Sequence, residues 1–270
     1  MSSGKAIGFF DSGVGGLTVM KAVKAAFPSE STIYLGDNTR IPYGPLPVET
    51  VRRYTLQCLD QLYRLGAKAL VIACNTATAA ALEAARERYD VPVIGVIGPT
   101  ARAAARVARE KVGIMATEGT VKSGLYPRAI NEVAPGLEVV QQPCPLLTPL
   151  VEAGEIDTRK SDTVLEGYLQ PLRKAGVDTV VLGCTHYPFL RKGVERLMGP
   201  GVQVVESGPA VVAVLAELMA AGTLEGAAVG TLVHRLMTTG NPESFDKLAG
   251  ILWPEGHPEV EVVELEPVRG

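Results

Sequence analysis

The stretches VIACNT (residues 71–76) and VLGCTH (residues 181–186) decide the fold class. Each begins as an apolar, β-branched run without polar alternation, which is typical of a parallel strand covered by helices on both faces. Eight such runs are predicted as strands: Ala6–Phe10, Thr32–Leu35, Ala69–Ala73, Val91–Val96, Val112–Ala116, Leu137–Gln141, Thr179–Leu182 and Val202–Val205. Because helical patterns separate these runs, the sequence predicts an α/β protein.

The predicted helices follow from apolar residues that recur at helical spacing. One stripe predicts a helix over Val48–Leu65, and an alanine-rich segment predicts another over Ala77–Tyr89. A third is expected over Tyr187–Leu197. The stripe of the first helix consists of Val48, Val51, Thr55, Leu59 and Leu62. These spacings place the apolar side chains of each helix on one face.

The two halves of the chain repeat one pattern. Each has four predicted strands with a cysteine after the third, and 63 positions separate Asp11 from Cys74 where 67 separate Thr117 from Cys184. We therefore expect two similar parallel-sheet α/β units that face each other across a cleft. We place the boundary near Gly98-Pro99 and let the C-terminal segment, with a strand at Thr231–Met237, return to the first unit. The expected domains are 1–98 with 208–270, and 99–207.

Composition narrows the class of function. The net charge is −3 and aromatic residues are 5%, which argues against nucleic acid as a partner. The sequence has neither an apolar run long enough for a membrane span nor a signal-peptide core, so we expect a cytoplasmic protein without a membrane partner. Its four cysteines form no C-x-x-C pair and are expected to be free thiols.

The candidate chemistry lies at the strand ends, where open α/β sheets bind ligands. Polar residues there include two cysteines, Cys74 and Cys184, each directly before a predicted helix. A helix N-terminus favours thiolate over thiol. Cys58 falls on or beside an apolar helix face and is assigned to the core, whereas Cys144 has no helix N-terminus to activate it.

Three other interpretations of these residues were considered. The segment DSGVGGLT (residues 11–18) resembles a dinucleotide loop, but Thr18 occupies the last glycine position. A zinc site would need Cys74, Cys184, His186 and Asp11, at spacings that zinc sites rarely use. A Cys184–His186 hydrolase would need residues two apart to face each other well, and it leaves Cys74 unexplained.

Two thiols facing one cleft suit a particular reaction. One removes a proton from one face of a carbon while the other delivers a proton to the opposite face. This inverts a stereocentre, so the residues alone predict a racemase or epimerase of a carbon acid. No lysine stands at the strand ends to form a pyridoxal Schiff base, and we expect no cofactor and no metal.

A set of motifs carries a family resemblance. FDSGVGGL (10–17), GD (36–37) with PYG (42–44), CNT (74–76), TVKS (120–123) and GCTHYP (183–188) stand in the order found in bacterial glutamate racemases. ESG (206–208) and TTG (238–240) are similar to later segments of that family. The resemblance implies cofactor-independent interconversion of L- and D-glutamate, which supplies D-glutamate for peptidoglycan, and a homodimer.

The resemblance also implies residue roles. Cys74 would handle the proton of D-glutamate with help from Asp11, and Cys184 that of L-glutamate with help from His186 and Glu152. The residues implied to bind substrate are Asp11, Ser12, Pro42, Tyr43, Gly44, Asn75, Thr76, Thr120, Thr185 and His186. Two alternatives to this function are a racemase of another acidic amino acid and a thiol-based metal or redox protein.

Overall fold

The described part of the chain, residues 6–227 and 232–266 of a computed structural model, contains two parallel sheets. Its strands are β1 (Ile7–Asp11), β2 (Thr32–Gly36), β3 (Ala69–Ile72), β4 (Val93–Gly95), β5 (Lys111–Ala116), β6 (Glu138–Pro143), β7 (Thr179–Gly183), β8 (Gln203–Val205), β9 (His234–Thr238) and β10 (Val260–Val262). The eight strands predicted from apolar runs are all present, and their ends shift by no more than two residues. The C-terminal strand expected at Thr231–Met237 is β9, while Thr231 itself lies outside the described residues.

Helices connect the strands. They are α1 (Leu17–Ala26), α2 (Val48–Arg64), α3 (Asn75–Arg88), α4 (Ile97–Val107), α5 (Glu118–Ser123), α6 (Leu125–Val133), α7 (Leu147–Glu152), α8 (Arg159–Ala175), α9 (Arg191–Met198), α10 (Ser207–Ala220) and α11 (Pro242–Leu252). The predicted α/β class, with two parallel-sheet units, is confirmed.

Strand order confirms the internal repeat. The first sheet has the order β10-β9-β2-β1-β3-β4 and the second the order β6-β5-β7-β8, so β5 to β8 repeat the arrangement of β1 to β4. All the pairings are parallel. In each sheet the chain leaves the first strand toward one side and returns on the other, which makes the ends of β1 and β3, and of β5 and β7, the topological switch points where ligands bind.

Three features of the helices differ from what the sequence predicts. Val48 begins α2 and is 58% exposed, so it does not join the buried stripe of that helix. Gly98 and Pro99, expected near the boundary between the two units, lie in the first turn of α4. A proline is tolerated there because the backbone N–H groups of a first helical turn have no partner within the helix. The helix expected over Tyr187–Leu197 starts as a 3₁₀ helix at Tyr187–Leu190 and becomes α9 only at Arg191.

Helix α10 packs against α1, which contacts the first sheet, and against α4, which contacts the second sheet. The Thr100 hydroxyl on α4 donates a hydrogen bond to Ser207 Oγ at the start of α10, at a distance of 3.1 Å. The two segments that connect one sheet to the other therefore lie side by side. Within the described ranges, no helix combines the length and the apolar character needed to cross a membrane.

Candidate active site

One cavity of about 200 Å³ lies between the carboxyl ends of the two sheets. Both strand-end cysteines line it: Cys74 after β3 and Cys184 after β7. Its other lining residues are Ser12, Ile41, Pro42, Tyr43, Gly44, Pro45, Asn75, Thr76, Thr117, Glu118, Pro145, Thr148, Pro149, Thr185 and His186. The two switch points therefore share a single cavity that contains two thiols.

Cys74 stands at the N-terminus of α3, as its sequence position predicted. Its Sγ accepts a hydrogen bond from the Ala77 backbone N–H at 3.4 Å and lies 3.5 Å from Ser12 Oγ. Burial and the negative charge of Asp11 nevertheless raise the pKa of Cys74 to about 12. The hydrogen bond at the helix N-terminus lowers the pKa of Cys74, in the expected direction, but the loss of solvent outweighs it.

Cys184 lies in a different environment, formed by a His–Glu pair. Its Sγ is 3.9 Å from Nδ1 of His186, and Nε2 of the same ring is 2.6 Å from Oε1 of Glu152. The prediction that residues two apart would not face each other is wrong. A turn with a hydrogen bond from the Tyr187 N–H to the Cys184 carbonyl (3.1 Å) curls the segment directly after β7 and brings both side chains to one side.

His186 is buried, and its charge state is set by these partners. Burial lowers its pKa, but the hydrogen bonds to Cys184 and Glu152 outweigh that effect and raise the pKa to about 10. The imidazole is therefore a cation at neutral pH. This cation lies beside Cys184, with Nδ1 at 3.9 Å from the Sγ atom.

Asp11 is fully buried behind the cavity and does not line it. Its carboxylate accepts hydrogen bonds from the Gly13 N–H (3.0 Å) and from the Thr185 hydroxyl (3.1 Å). Burial raises the pKa of Asp11, while the charge on His186 and these hydrogen bonds act in the opposite direction. Asp11 thus ties the end of β1 to the segment after β7.

The glycine-rich loop after β1 is explained by a close approach. A Cβ atom at Gly15 would lie 2.6 Å from both the Thr185 Oγ1 and the His186 Nδ1 atoms. Only a glycine allows the loop to approach the opposite strand end this closely. Gly15, one of the glycines that resemble part of a dinucleotide motif, therefore serves contact between the two halves.

Hydroxyl and amide groups form the polar wall near Cys74. Thr76 Oγ1 lies 2.9 Å from Thr117 Oγ1, and the Thr117 hydroxyl lies 3.0 Å from Thr120 Oγ1. Asn75 accepts a hydrogen bond from the Tyr126 hydroxyl at 2.8 Å, while its Nδ2 is buried without a partner. A buried donor left unpaired is costly, so this amide is suited to a ligand acceptor.

The PYG loop (residues 42–44) forms an apolar wall of the cavity, and contacts outside the cavity hold it in place. The ring of Tyr43 packs near those of Phe10 and Tyr54, and its hydroxyl donates to the buried Asp37. Asp37 also accepts a hydrogen bond from Thr239 Oγ1 at 2.8 Å. The side chain of Tyr43 is thus held in place at the cavity edge by contacts from the C-terminal segment.

Ten of the thirteen predicted site residues line the cavity. The other three, Asp11, Thr120 and Glu152, lie behind it and contact residues that do. Sequence reasoning did not assign the cavity residues Ile41, Pro45, Thr117, Glu118, Pro145, Thr148 and Pro149. One of them had a signal: Thr148 precedes Glu152 by four residues, so a helix through Glu152 places both on one face.

We expect the protein to lose stability as the pH rises from about 6.5 toward about 10. His186 has its pKa raised from 6.5 to about 10 in the fold, so its stabilising contribution is complete below pH 6.5 and disappears as the pH passes about 10. Urea denaturation over this range measures the decline. Glu152→Gln removes one group that raises this pKa and should flatten the decline, whereas Glu155→Gln should not. An unchanged decline in Glu152→Gln would contradict this account.

Among residues 6–227 and 232–266, no group of three or more His, Cys, Asp and Glu side chains is arranged to hold a metal ion.

The fold and the cavity define a class of protein: α/β proteins in which two repeated units each bring one strand-end thiol to a shared cavity. A family model described as Asp/Glu/Hydantoin racemase matches residues 16–215. A glutamate racemase from Geobacter metallireducens is 48% identical over 221 residues, covering 82% of each chain. The chain belongs to the Asp/Glu/hydantoin racemase family, and within it to the glutamate racemases.

Solved structures agree with this assignment. A glutamate racemase isoform from Bacillus anthracis has a TM-score of 0.91 at 39% identity, over 97% of this chain and 98% of that one. A glutamate racemase from Francisella tularensis in complex with D-glutamate has a TM-score of 0.89 at 29% identity, with the same coverage. Both likenesses extend across nearly the whole chain, including both sheets.

Proposed function

We propose that this chain interconverts L- and D-glutamate by two proton transfers at the α-carbon, one on each face. The observation that carries the proposal is the presence of Cys74 and Cys184, at equivalent ends of β3 and β7, in the wall of one cavity. Inversion needs one thiol ionised and the other protonated, with the roles exchanged in the reverse direction. Two thiols complete this exchange without a cofactor.

The surroundings of the two thiols support unequal resting states. The pKa of Cys74 is raised to about 12 by burial and by Asp11, which favours a neutral thiol. We propose that Cys184, which lies beside the cationic His186 held by Glu152, is the ionised thiol of the pair. In this state the enzyme is ready for L-glutamate: Cys184 takes the α-proton, and Cys74 gives its own proton to the opposite face.

Reversal starts from the product state of that reaction. Cys74 is then the thiolate and takes the α-proton of D-glutamate, while Cys184 returns a proton to form L-glutamate. We propose that Asp11 assists Cys74, through its charge and through its position directly behind the thiol. We propose that His186 assists Cys184 from the other unit through its positive charge, and that Glu152 holds the His186 ring in place.

Substrate binding is proposed to use the polar groups between the thiols. Glutamate has two carboxylates, and the cavity offers hydroxyl donors from Ser12 and Thr76 together with the unpaired Nδ2 of Asn75. The Thr185 hydroxyl donates its proton to Asp11, so its oxygen offers an acceptor to the substrate ammonium group. Thr120 supports Thr76 from behind. Pro42, Tyr43 and Gly44 form the wall that closes over the substrate.

The proposal extends to cellular context and assembly. We propose that the product D-glutamate supplies peptidoglycan synthesis, that the protein acts in the cytoplasm and that it forms a homodimer, on the basis of its family. We also propose that the two units correspond to residues 1–98 with 208–270, and to residues 99–207. The return of β9 to β2 and the position of α10 support this division.

Polarimetry tests the proposed function directly. Protein dialysed exhaustively against EDTA and treated with hydroxylamine should still abolish the optical rotation of L-glutamate, because the two thiols need neither metal nor carbonyl cofactor. Iodoacetamide should stop the reaction, since it blocks both thiols. Loss of activity on dialysis, with recovery on adding zinc, would refute this account and favour a metal-dependent alternative.

Substrate analogues serve as the control in the same assay. L-Norvaline lacks the side-chain carboxylate and should be turned over very poorly, because it leaves buried donors unpaired. L-Aspartate distinguishes a racemase of another acidic amino acid. Turnover of aspartate faster than glutamate would overturn the proposed substrate.

A further inference from the structure

Thr148 is the second side chain, besides His186, that hydrogen bonds to Cys184. Its Oγ1 lies 3.6 Å from Cys184 Sγ, in a geometry in which either atom can donate. Thr148 and Glu152 are four residues apart on α7 and share one face of that helix. The same helix therefore reaches Cys184 twice, directly through Thr148 and indirectly through Glu152 and His186.

The contact between Thr148 and Cys184 can run in either direction. A threonine hydroxyl has one proton to donate and lone pairs that accept, and a thiol can likewise donate or accept. A thiolate has no proton and can only accept. The Thr148 hydroxyl can therefore donate to Cys184 when that residue is ionised and accept from it when it is protonated.

We propose that the Thr148 hydroxyl follows the ionisation of Cys184, donating its proton to the thiolate and accepting the S–H proton once the thiol has formed. This inference rests on the proposed role of Cys184 as a base. When Cys184 takes the α-proton of L-glutamate, its new S–H donates to Thr148 Oγ1, and the hydroxyl proton of Thr148 turns away from the sulfur. The same contact therefore serves both protonation states of Cys184.

The other groups around Cys184 make this donor important. The ionisable groups whose pKa responds to charge on Cys184 are Cys74, Tyr126, Cys144, His186 and Tyr187. Only His186 among them brings a positive charge, and the four others are acids that a neighbouring thiolate keeps neutral. Within the described residues, Thr148 and His186 are the side chains that hydrogen bond to Cys184 Sγ. Thr148 is therefore a positioning residue that stabilises the thiolate.

Replacement of Thr148 by Val tests the inference, since Val keeps the shape and removes the hydroxyl. The free enzyme is treated with iodoacetamide, and alkylation of the Cys184 and Cys74 peptides is followed by mass spectrometry. We expect alkylation of Cys184 to slow by about tenfold, the order expected for a lost hydrogen bond to a charged group. Racemisation should fall by a similar factor through kcat, and Thr148→Ser should restore both rates.

Cys74 is the internal control, because its alkylation should not change in the same sample. Alkylation of Cys184 at the wild-type rate in Thr148→Val overturns the inference, including the case in which only KM rises and Thr148 merely contacts substrate. Thr148→Ala replaces Val if the larger side chain disturbs Cys74. Racemisation by Cys184→Ala would refute the proposed function itself, so failure of the two proposals can be distinguished.

Discussion

Replacing either Cys74 or Cys184 by Ala should abolish racemisation in both directions. Each variant keeps an acid or base on only one face of the α-carbon, and inversion needs both faces. General acid–base groups contribute about 10²–10⁴-fold to rate, and a carbon acid as weak as glutamate places the loss at the upper end or beyond. Polarimetry with each enantiomer measures this effect.

Cys58→Ala is the matched control for these variants. Cys58 is a buried thiol that contacts Arg40 and does not line the cavity, so its removal should affect stability more than rate. Near-normal racemisation by either Cys74→Ala or Cys184→Ala would show that this cysteine only packs. The two-base mechanism would then have to be abandoned.

Hydrogen exchange in D₂O assigns each cysteine to a face within the same experiment. The remaining thiol can remove and return a proton on its own side. Cys184→Ala should therefore exchange the α-hydrogen of D-glutamate without inversion, and Cys74→Ala that of L-glutamate. The reverse pattern would exchange the proposed assignments and leave the mechanism intact.

His186→Gln should lower kcat/KM by about 100-fold, within the range for a group that supports general acid–base catalysis. The substitution removes the cation that lies beside Cys184 and gives the Glu152 carboxylate a neutral amide in place of the charged imidazole at 2.6 Å. L- and D-glutamate have equal free energies in water, so kcat/KM must fall by the same factor in both directions. The separate kcat and KM values are free to differ between the enantiomers.

His234→Gln provides a comparison with an unrelated histidine. His234 bonds to Thr32 within the first sheet and does not line the cavity, so this variant should keep its activity. Initial rates from both enantiomers give the required constants. His186→Gln with activity within a few-fold of wild type would contradict the assignment of His186 to Cys184.

The sequence was sufficient to predict nine of the ten described strands and the two cysteines that line the cavity. Apolar runs mark buried parallel strands directly, and a repeat of spacing revealed that Cys74 and Cys184 are equivalent. The sequence could not predict that β10 extends the first sheet, because Val260–Val262 is only three residues long and lies in a polar tail.

The environment of each thiol was harder to predict than its position. A helix N-terminus suggested a reactive Cys74, but the burial and the nearby Asp11 charge that raise its pKa depend on contacts across the fold. Thr148 reaches Cys184 from a different segment of the chain, and no local pattern around residue 184 indicates it. Chemistry that depends on long-range contacts is visible only after folding.

The neighbouring crossovers at Thr100 and Ser207 restrict how the molecule can open. Two adjacent backbone connections allow the two sheet regions to rotate relative to each other about one axis, and they resist shear and twist between them. On the side of the cavity, the Asp11–Thr185 and Thr76–Thr117 hydrogen bonds also join the two sheet regions. Together these contacts oppose relative displacement of the two strand ends that carry Cys74 and Cys184.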